Sequence, residues 1–259
     1  MFLMEPRPTD YDLSFHIGRV PVRVHPMFWV VSAIMGLAPG SPPDGRLLVL
    51  WIGAVFVSIL IHELGHVWAM HRFGEAGRIV LYGFGGLAVS DGAGRWGRRR
   101  TPREQVIISL AGPGAGFVFI GVVLGAFYAA GGRFAMEFGL PHIIGFERID
   151  PPPNTGYYFL VMMLDLWHVN FYWGLVNLLP IYPLDGGQVS RELFSLHAPH
   201  AGILRSLVLS TMVAGFLAVV CLVQFDRRFL AFFFGILALN NYFALRQLYG
   251  GGFGGGSPW

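Results

Sequence analysis

Apolar and polar residues fall into long blocks along this chain. Five segments, 47–70, 105–130, 157–179, 206–224 and 229–247, are apolar over nearly their whole length. A bilayer core about 30 Å thick needs roughly 20 apolar helical residues, so each segment predicts a membrane-spanning helix. A sixth, 24–43, has no charged residue except a titratable His25, and its apolar run from Met27 to Ala38 is bounded by Pro26 and Pro39. The pattern predicts an all-α polytopic membrane protein with six transmembrane helices. Two stretches break it. Residues 14–24 (SFHIGRVPVRV) alternate in the manner of a strand. Residues 79–90 (IVLYGFGGLAVS) are uncharged but too short to cross as a helix. They read as a small membrane-associated β element or re-entrant hairpin. The run GAGRWGRRR reads as a solvated basic loop, and 250–259 as a flexible Gly-rich tail. With no internal repeat, residues 1–259 read as one membrane-embedded domain.

Composition agrees. Of 259 residues, 54% are hydrophobic and only 13% charged, about half the charge of a soluble domain, and the mean hydropathy is +0.56. Disordered, collagenous and disulfide-stapled classes are excluded. Cys221 is the single cysteine, so one chain can build neither a disulfide nor a cysteine metal site. The first residues, MFLMEPRPTDYDL, lack the basic and apolar regions of a cleavable signal peptide. All 18 basic residues are arginine. A pI of 9.2 would suggest nucleic acid in a soluble protein; here the arginines read as membrane-flanking charges, and no nucleic-acid partner is expected. With both termini inside, 13 arginines fall on cytoplasmic segments and 5 outside, which favours cytoplasmic termini in a multi-pass protein of the cell (inner) membrane.

Candidate chemistry stands out against this background. His62-Glu63-Leu64-Gly65-His66 is an HExxH inside the second span. Histidines four residues apart differ by about 40° around a helix and share a face. Two such imidazoles can grip one zinc ion, with Glu63 placed to take a proton from water activated there. Each buried ionisable group costs on the order of 3 kcal/mol on insertion scales, so three within five residues are not explained by packing. Fifteen residues from Leu47 place His62 roughly 22 Å along the helix, nearer the cytoplasmic face.

A catalytic zinc usually takes a third protein ligand. His71 sits near the charged loop. Asp165, His168 and Asn170 lie in the fourth span, as a polar helix contact or a water-channel lining. In Asn177-Leu-Leu-Pro-Ile-Tyr-Pro-Leu-Asp185-Gly186-Gly187, Pro180 and Pro183 break the helix and the glycines permit tight turns after Asp185. A carboxylate on broken backbone at membrane depth is a good ion ligand. Glycines 112, 116, 121 and 125 give the third span small-xxx-small spacing for close helix packing. Asn240 and Asn241 suggest interhelical hydrogen bonds or part of a substrate gate.

HELGH in one span and NLLPIYPLDGG in a later one resemble the site-2 protease family of intramembrane zinc metalloproteases. Ser109-Leu-Ala-Gly-Pro-Gly114 resembles that family's small-residue signature, and the three motifs occur in the family's order. The resemblance covers about 47–190. It implies one zinc per chain held by His62, His66 and Asp185, with Glu63 as general base and acid. It also implies that Asn177 helps hold unwound substrate or polarise its carbonyl. The 79–90 element, with Gly83, Gly85 and Gly86, would be a hairpin that pairs with substrate. The implied activity is peptide-bond hydrolysis within or near the transmembrane segment of a membrane-spanning, pre-cleaved protein substrate, in contact with the lipid bilayer. The 131–156 loop is too short for the PDZ module of some relatives, and no nucleotide-sensing domain follows the sixth span, so the chain resembles a minimal form. The competing class is a zinc transporter or metal-binding membrane protein; a catalytically silent scaffold is the third reading.

Overall fold

The computed structural model describes residues 5–37, 44–83, 85–90, 100–138, 144–197, 199–225 and 228–250. Most of the arginine-rich run, and the tail beyond residue 250, lie outside them.

Helices dominate. They are α1 (Pro26–Gly36), α2 (Gly45–Arg72), α3 (Pro102–Ala129), α4 (Tyr157–Trp167), α5 (Gly174–Asn177), α6 (Asp185–His197), α7 (Pro199–Val223) and α8 (Arg228–Gly250). Residues His168–Trp173 join α4 to α5 as a wider π-helical turn. Five helical stretches are long and apolar enough to cross a membrane: Gly45–Arg72, Pro102–Ala129, Tyr157–Asn177, Ala201–Val223 and Arg228–Leu248. They fall on the five long apolar segments. Among the described residues of segment 24–43 the helix is the 11-residue α1, about 16 Å long at 1.5 Å per residue; residues 38–43 lie outside those described.

The chain divides into two compact units, one of residues 4–98 and 111–175, the other of residues 1–3, 99–110 and 176–259. In the first unit, β1 (Leu13–Ile17), β2 (Val20–Val24), β3 (Gly77–Tyr82) and β4 (Gly85–Ser90) form one sheet in the order β1-β2-β3-β4. Both expected β stretches are therefore present, joined through a parallel β2–β3 pairing with Val22 opposite Ile79 and Val24 opposite Leu81. Gly18, at φ +59°, supplies the left-handed residue of the β1–β2 turn. Val20, Val22 and Val24 alternate inward and pack with Ile79, Leu81, Phe28 and the α2 residues Val55, Ile59 and Val67. The sheet is thus anchored to the helix that carries the HExxH. A second hairpin, β5 (Arg133–Phe138) with β6 (Ile144–Asp150), occupies the stretch read from sequence as a loop. Its RFAMEF and IGFERID strands carry alternation that was there to be found.

The second unit is built on α6, α7 and α8. Ile181, fully buried, packs with Ala214 and Cys221 of α7 and with Ala231, Phe234 and Leu237 of α8. Thr101 and Glu104 cap the start of α3 reciprocally: the Thr101 N–H donates to Glu104 Oε2 at 2.8 Å, and the Glu104 N–H to Thr101 Oγ1 at 3.3 Å.

Candidate metal centre

Helix α2 carries His62, Glu63 and His66 on its buried side, at 7%, 5% and 7% exposure. The imidazoles sit one turn apart, with rings 4.8 Å apart at 77° and Nε2 atoms 3.1 Å apart. One ligand atom from each of the three residues lies within 4.8 Å of the others.

Several features show that this cluster fits a zinc ion. Two nitrogens each 2.0–2.1 Å from one tetrahedral ion stand about 3.3 Å apart, close to the observed spacing. An imidazole pair with carboxylate oxygen nearby is the donor chemistry zinc takes. The space between the histidines is also kept clear from α3. A Cβ at Gly112 would run into Nε2 and Cε1 of His66 and lie 2.8 Å from Nε2 of His62. Position 112 is therefore a close-approach site rather than general helix packing. Gly116 faces Asn170, whereas Gly121 and Gly125 face no described atom within 4 Å. The small-residue spacing of α3 thus meets the histidine pair at one of its four positions, Gly112. The closest helix approach comes from Gly65 of α2, where a Cβ would strike the carbonyl of Ala111 and the Cβ of Ala115.

The sheet reaches the same cluster. Gly86 of β4 lies against Glu63, where an added Cβ would come 2.5 Å from Oε1 and 2.6 Å from Cδ. Strand β4 ends the sheet, with only β3 as a strand partner among the described residues. Gly85, at φ +129°, begins β4, and Gly83 lies in the turn before it.

The remaining candidates divide. His71 is exposed near the end of α2, and His168 is exposed with its Nδ1 2.8 Å from the Leu164 carbonyl oxygen. Neither belongs to the cluster, nor does the half-buried Asp165. Asn170 proves to be the helix contact. In the π-helical turn and 4% exposed, it donates from Nδ2 to Ser58 Oγ at 2.7 Å and to the Leu166 carbonyl at 2.8 Å. Its Oδ1 has no hydrogen-bond partner, and the residue lines a small cavity with Ser58, His62, Gly116 and Trp173. The sequence signal was a polar residue inside an apolar span; the π turn that turns it inward has no such signal.

Asp185 and Asn177 lie in the second unit, each 7% exposed. Helix α5 ends at Asn177, residues 178–184 are non-helical, and α6 starts at Asp185, so the two prolines break the helix as expected. The glycines serve differently from the expected turns. Gly186 and Gly187 are helical, and a Cβ on either would collide with the backbone of Leu178–Leu179 or Ile181–Tyr182. They let the first turn of α6 lie flat on the broken segment.

Comparison with known proteins gives the chain a family. The model of peptidase family M50 matches residues 50–221. A zinc metalloprotease of Methanocaldococcus jannaschii is 28% identical over 240 residues, covering 91% of this chain and 57% of that protein. Stage IV sporulation protein FB of Bacillus subtilis is 30% identical over 179 residues, covering 69% of this chain and 49% of that protein. The chain thus spans about half the length of the curated relatives it matches. In fold it resembles the site-2 protease from Methanocaldococcus jannaschii, with a TM-score of 0.50 at 20% identity, over 96% of this chain and 99% of that one.

Proposed function

We propose, from the premise that this chain belongs to peptidase family M50, that it is a zinc metalloendopeptidase cleaving peptide bonds within or near the transmembrane segment of membrane proteins. The observation that carries the reading is the buried His62–Glu63–His66 cluster, with Nε2 atoms 3.1 Å apart, inside a 28-residue apolar helix.

In this reading His62, His66 and Asp185 hold one zinc ion. The bound ion would supply Lewis acidity at the scissile carbonyl and lower the pKa of water at the site. Glu63 takes a proton from the attacking water as its oxygen adds to the carbonyl carbon. As the C–N bond breaks, Glu63 returns that proton to the leaving amine. Asn177 orients the scissile carbonyl or donates a hydrogen bond to its developing negative charge.

A helical substrate segment hides its peptide groups in its own hydrogen bonds, so it must unwind before attack. The edge of β4 away from β3, which pairs with no other strand among the described residues, offers backbone partners to an extended segment. Gly86 supports this placement, because it brings that strand against Glu63. The substrate is a membrane-spanning protein already trimmed outside the membrane. The arginine distribution supports cytoplasmic termini in the inner membrane.

The test uses purified protein in detergent with a single-span reporter. Cleavage should stop when a chelator removes metal and return on adding zinc. Zinc flux into vesicles without reporter cleavage would instead favour the transporter reading.

A further inference from the structure

The non-helical backbone before Asp185 packs through Ile181 against the apolar helices α7 and α8. Peptide groups there cannot turn to lipid for hydrogen bonds, so protein groups must satisfy them. Within the segment, the Ile181 N–H donates to the Leu179 carbonyl at 2.7 Å and the Leu184 N–H to the Ile181 carbonyl at 2.8 Å. The Pro180 carbonyl and both backbone groups of Tyr182 are met by two polar side chains, one from α7 and one from α8. Ser210 of α7, fully buried, accepts from the Tyr182 N–H at 2.9 Å and donates to the Pro180 carbonyl at 3.2 Å. Asn241 of α8, 2% exposed, donates from Nδ2 to the Tyr182 carbonyl at 2.6 Å and to the Leu237 carbonyl at 2.8 Å.

Both backbone groups of Tyr182 are therefore held, its N–H from α7 and its carbonyl from α8, three residues before Asp185. The hold extends into α6. Gln188 donates to the Pro183 carbonyl at 3.3 Å and accepts from Gln105 at 2.9 Å. Gly187 seats the first turn of α6 on the Ile181–Tyr182 backbone. Asp185 thus projects from a backbone whose path is fixed by side chains outside its own segment.

We infer that Ser210 and Asn241 are positioning residues for Asp185, setting the place from which its carboxylate meets the metal. The inference rests on the reading of Asp185 as a metal ligand. It assigns a role to the asparagine of α8 that the proposed hydrolysis does not use, and it makes the α7–α8 pair part of the ligand scaffold. Groups that orient metal ligands typically alter metal affinity by 10- to 100-fold when removed.

The experiment measures Co2+ affinity and the visible absorption spectrum of the bound ion in metal-stripped full-length protein in detergent. It compares wild type with His62→Ala, Asp185→Ala, Asn241→Leu, Ser210→Ala and Ser210→Thr. Asp185→Ala should weaken binding and alter the spectrum. Asn241→Leu and Ser210→Ala should each weaken binding at least tenfold and shift the spectrum toward that of Asp185→Ala. Ser210→Thr, which keeps the hydroxyl, should restore both. The serine pair carries the test alone if Asn241→Leu does not fold. Wild-type affinity and spectrum in Ser210→Ala, with Asp185→Ala impaired, would overturn the positioning role. Wild-type behaviour in Asp185→Ala, with His62→Ala impaired, would overturn the ligand reading beneath it.

Discussion

His62 and His66 bring their Nε2 atoms to 3.1 Å of each other, and Gly112 of the neighbouring helix lies so close that a Cβ there would strike His66 and come 2.8 Å from Nε2 of His62. The spacing comes from the i, i+4 geometry of α2; that α3 can lie against both imidazoles comes from the missing side chain at Gly112.

Gly112→Ala should therefore lower metal affinity by at least about tenfold, because its Cβ would collide with His66 and crowd His62. Gly121→Ala is the control, since no described atom lies within 4 Å of a Cβ there. Competition with a chelator of known affinity measures both. Equal affinities in the two variants would contradict this role for Gly112.

Gly86→Val should act on the base rather than the metal. Its side chain would occupy the space of the Glu63 carboxylate, and general acid–base catalysis is worth roughly 10²–10⁴ in rate. The turnover rate should fall at least about tenfold with bound zinc unchanged. Steady-state cleavage and elemental analysis on one preparation give both numbers.

The approach to the sheet carries a pH dependence. Glu5 accepts from Arg23 and Arg78, each at 2.9 Å. Asp12 accepts from Arg23 at 2.8 Å and from the Thr9 hydroxyl at 2.6 Å. Burial pushes both carboxyls up, but these hydrogen bonds and the arginine charges outweigh it and hold both below the usual carboxylate range. A lowered native value stabilises the fold above the unfolded-state value, and the gain is lost as pH falls through the native one. The thermal midpoint in detergent should therefore drop on acidification through the carboxylate range, roughly pH 5 downward. Arg23→Ala should flatten that dependence. An unchanged slope in the variant would contradict the account.

Some of this was legible in the sequence because it is local. The HExxH needs only helical spacing, the long spans only hydropathy, and the break before Asp185 only Pro180 and Pro183. The missing parts are set by contacts distant in sequence. Residues 14–24 look like a strand and 79–90 like a hairpin or re-entrant element, and nothing local says that Val22 will pair with Ile79 across two helices. Glycines 112 and 121 belong to the same small-residue spacing, yet a Cβ at one would meet two imidazoles and at the other no described atom within 4 Å. The π-helical turn at Asn170 leaves no periodic mark that a window of apolar residues reveals. Asn241 could be noticed as polar within a span, but its partner, the Tyr182 carbonyl, lies 59 residues earlier.

The central claim is that Glu63 moves the proton of hydrolysis at a metal held by its histidine neighbours. The direct measurement is paired zinc content and reporter cleavage for purified Glu63→Gln, with product masses locating the cut. The account predicts about one zinc per chain, as in wild type, and cleavage reduced by at least about 10²-fold. Wild-type cleavage by a zinc-loaded Glu63→Gln protein would contradict it.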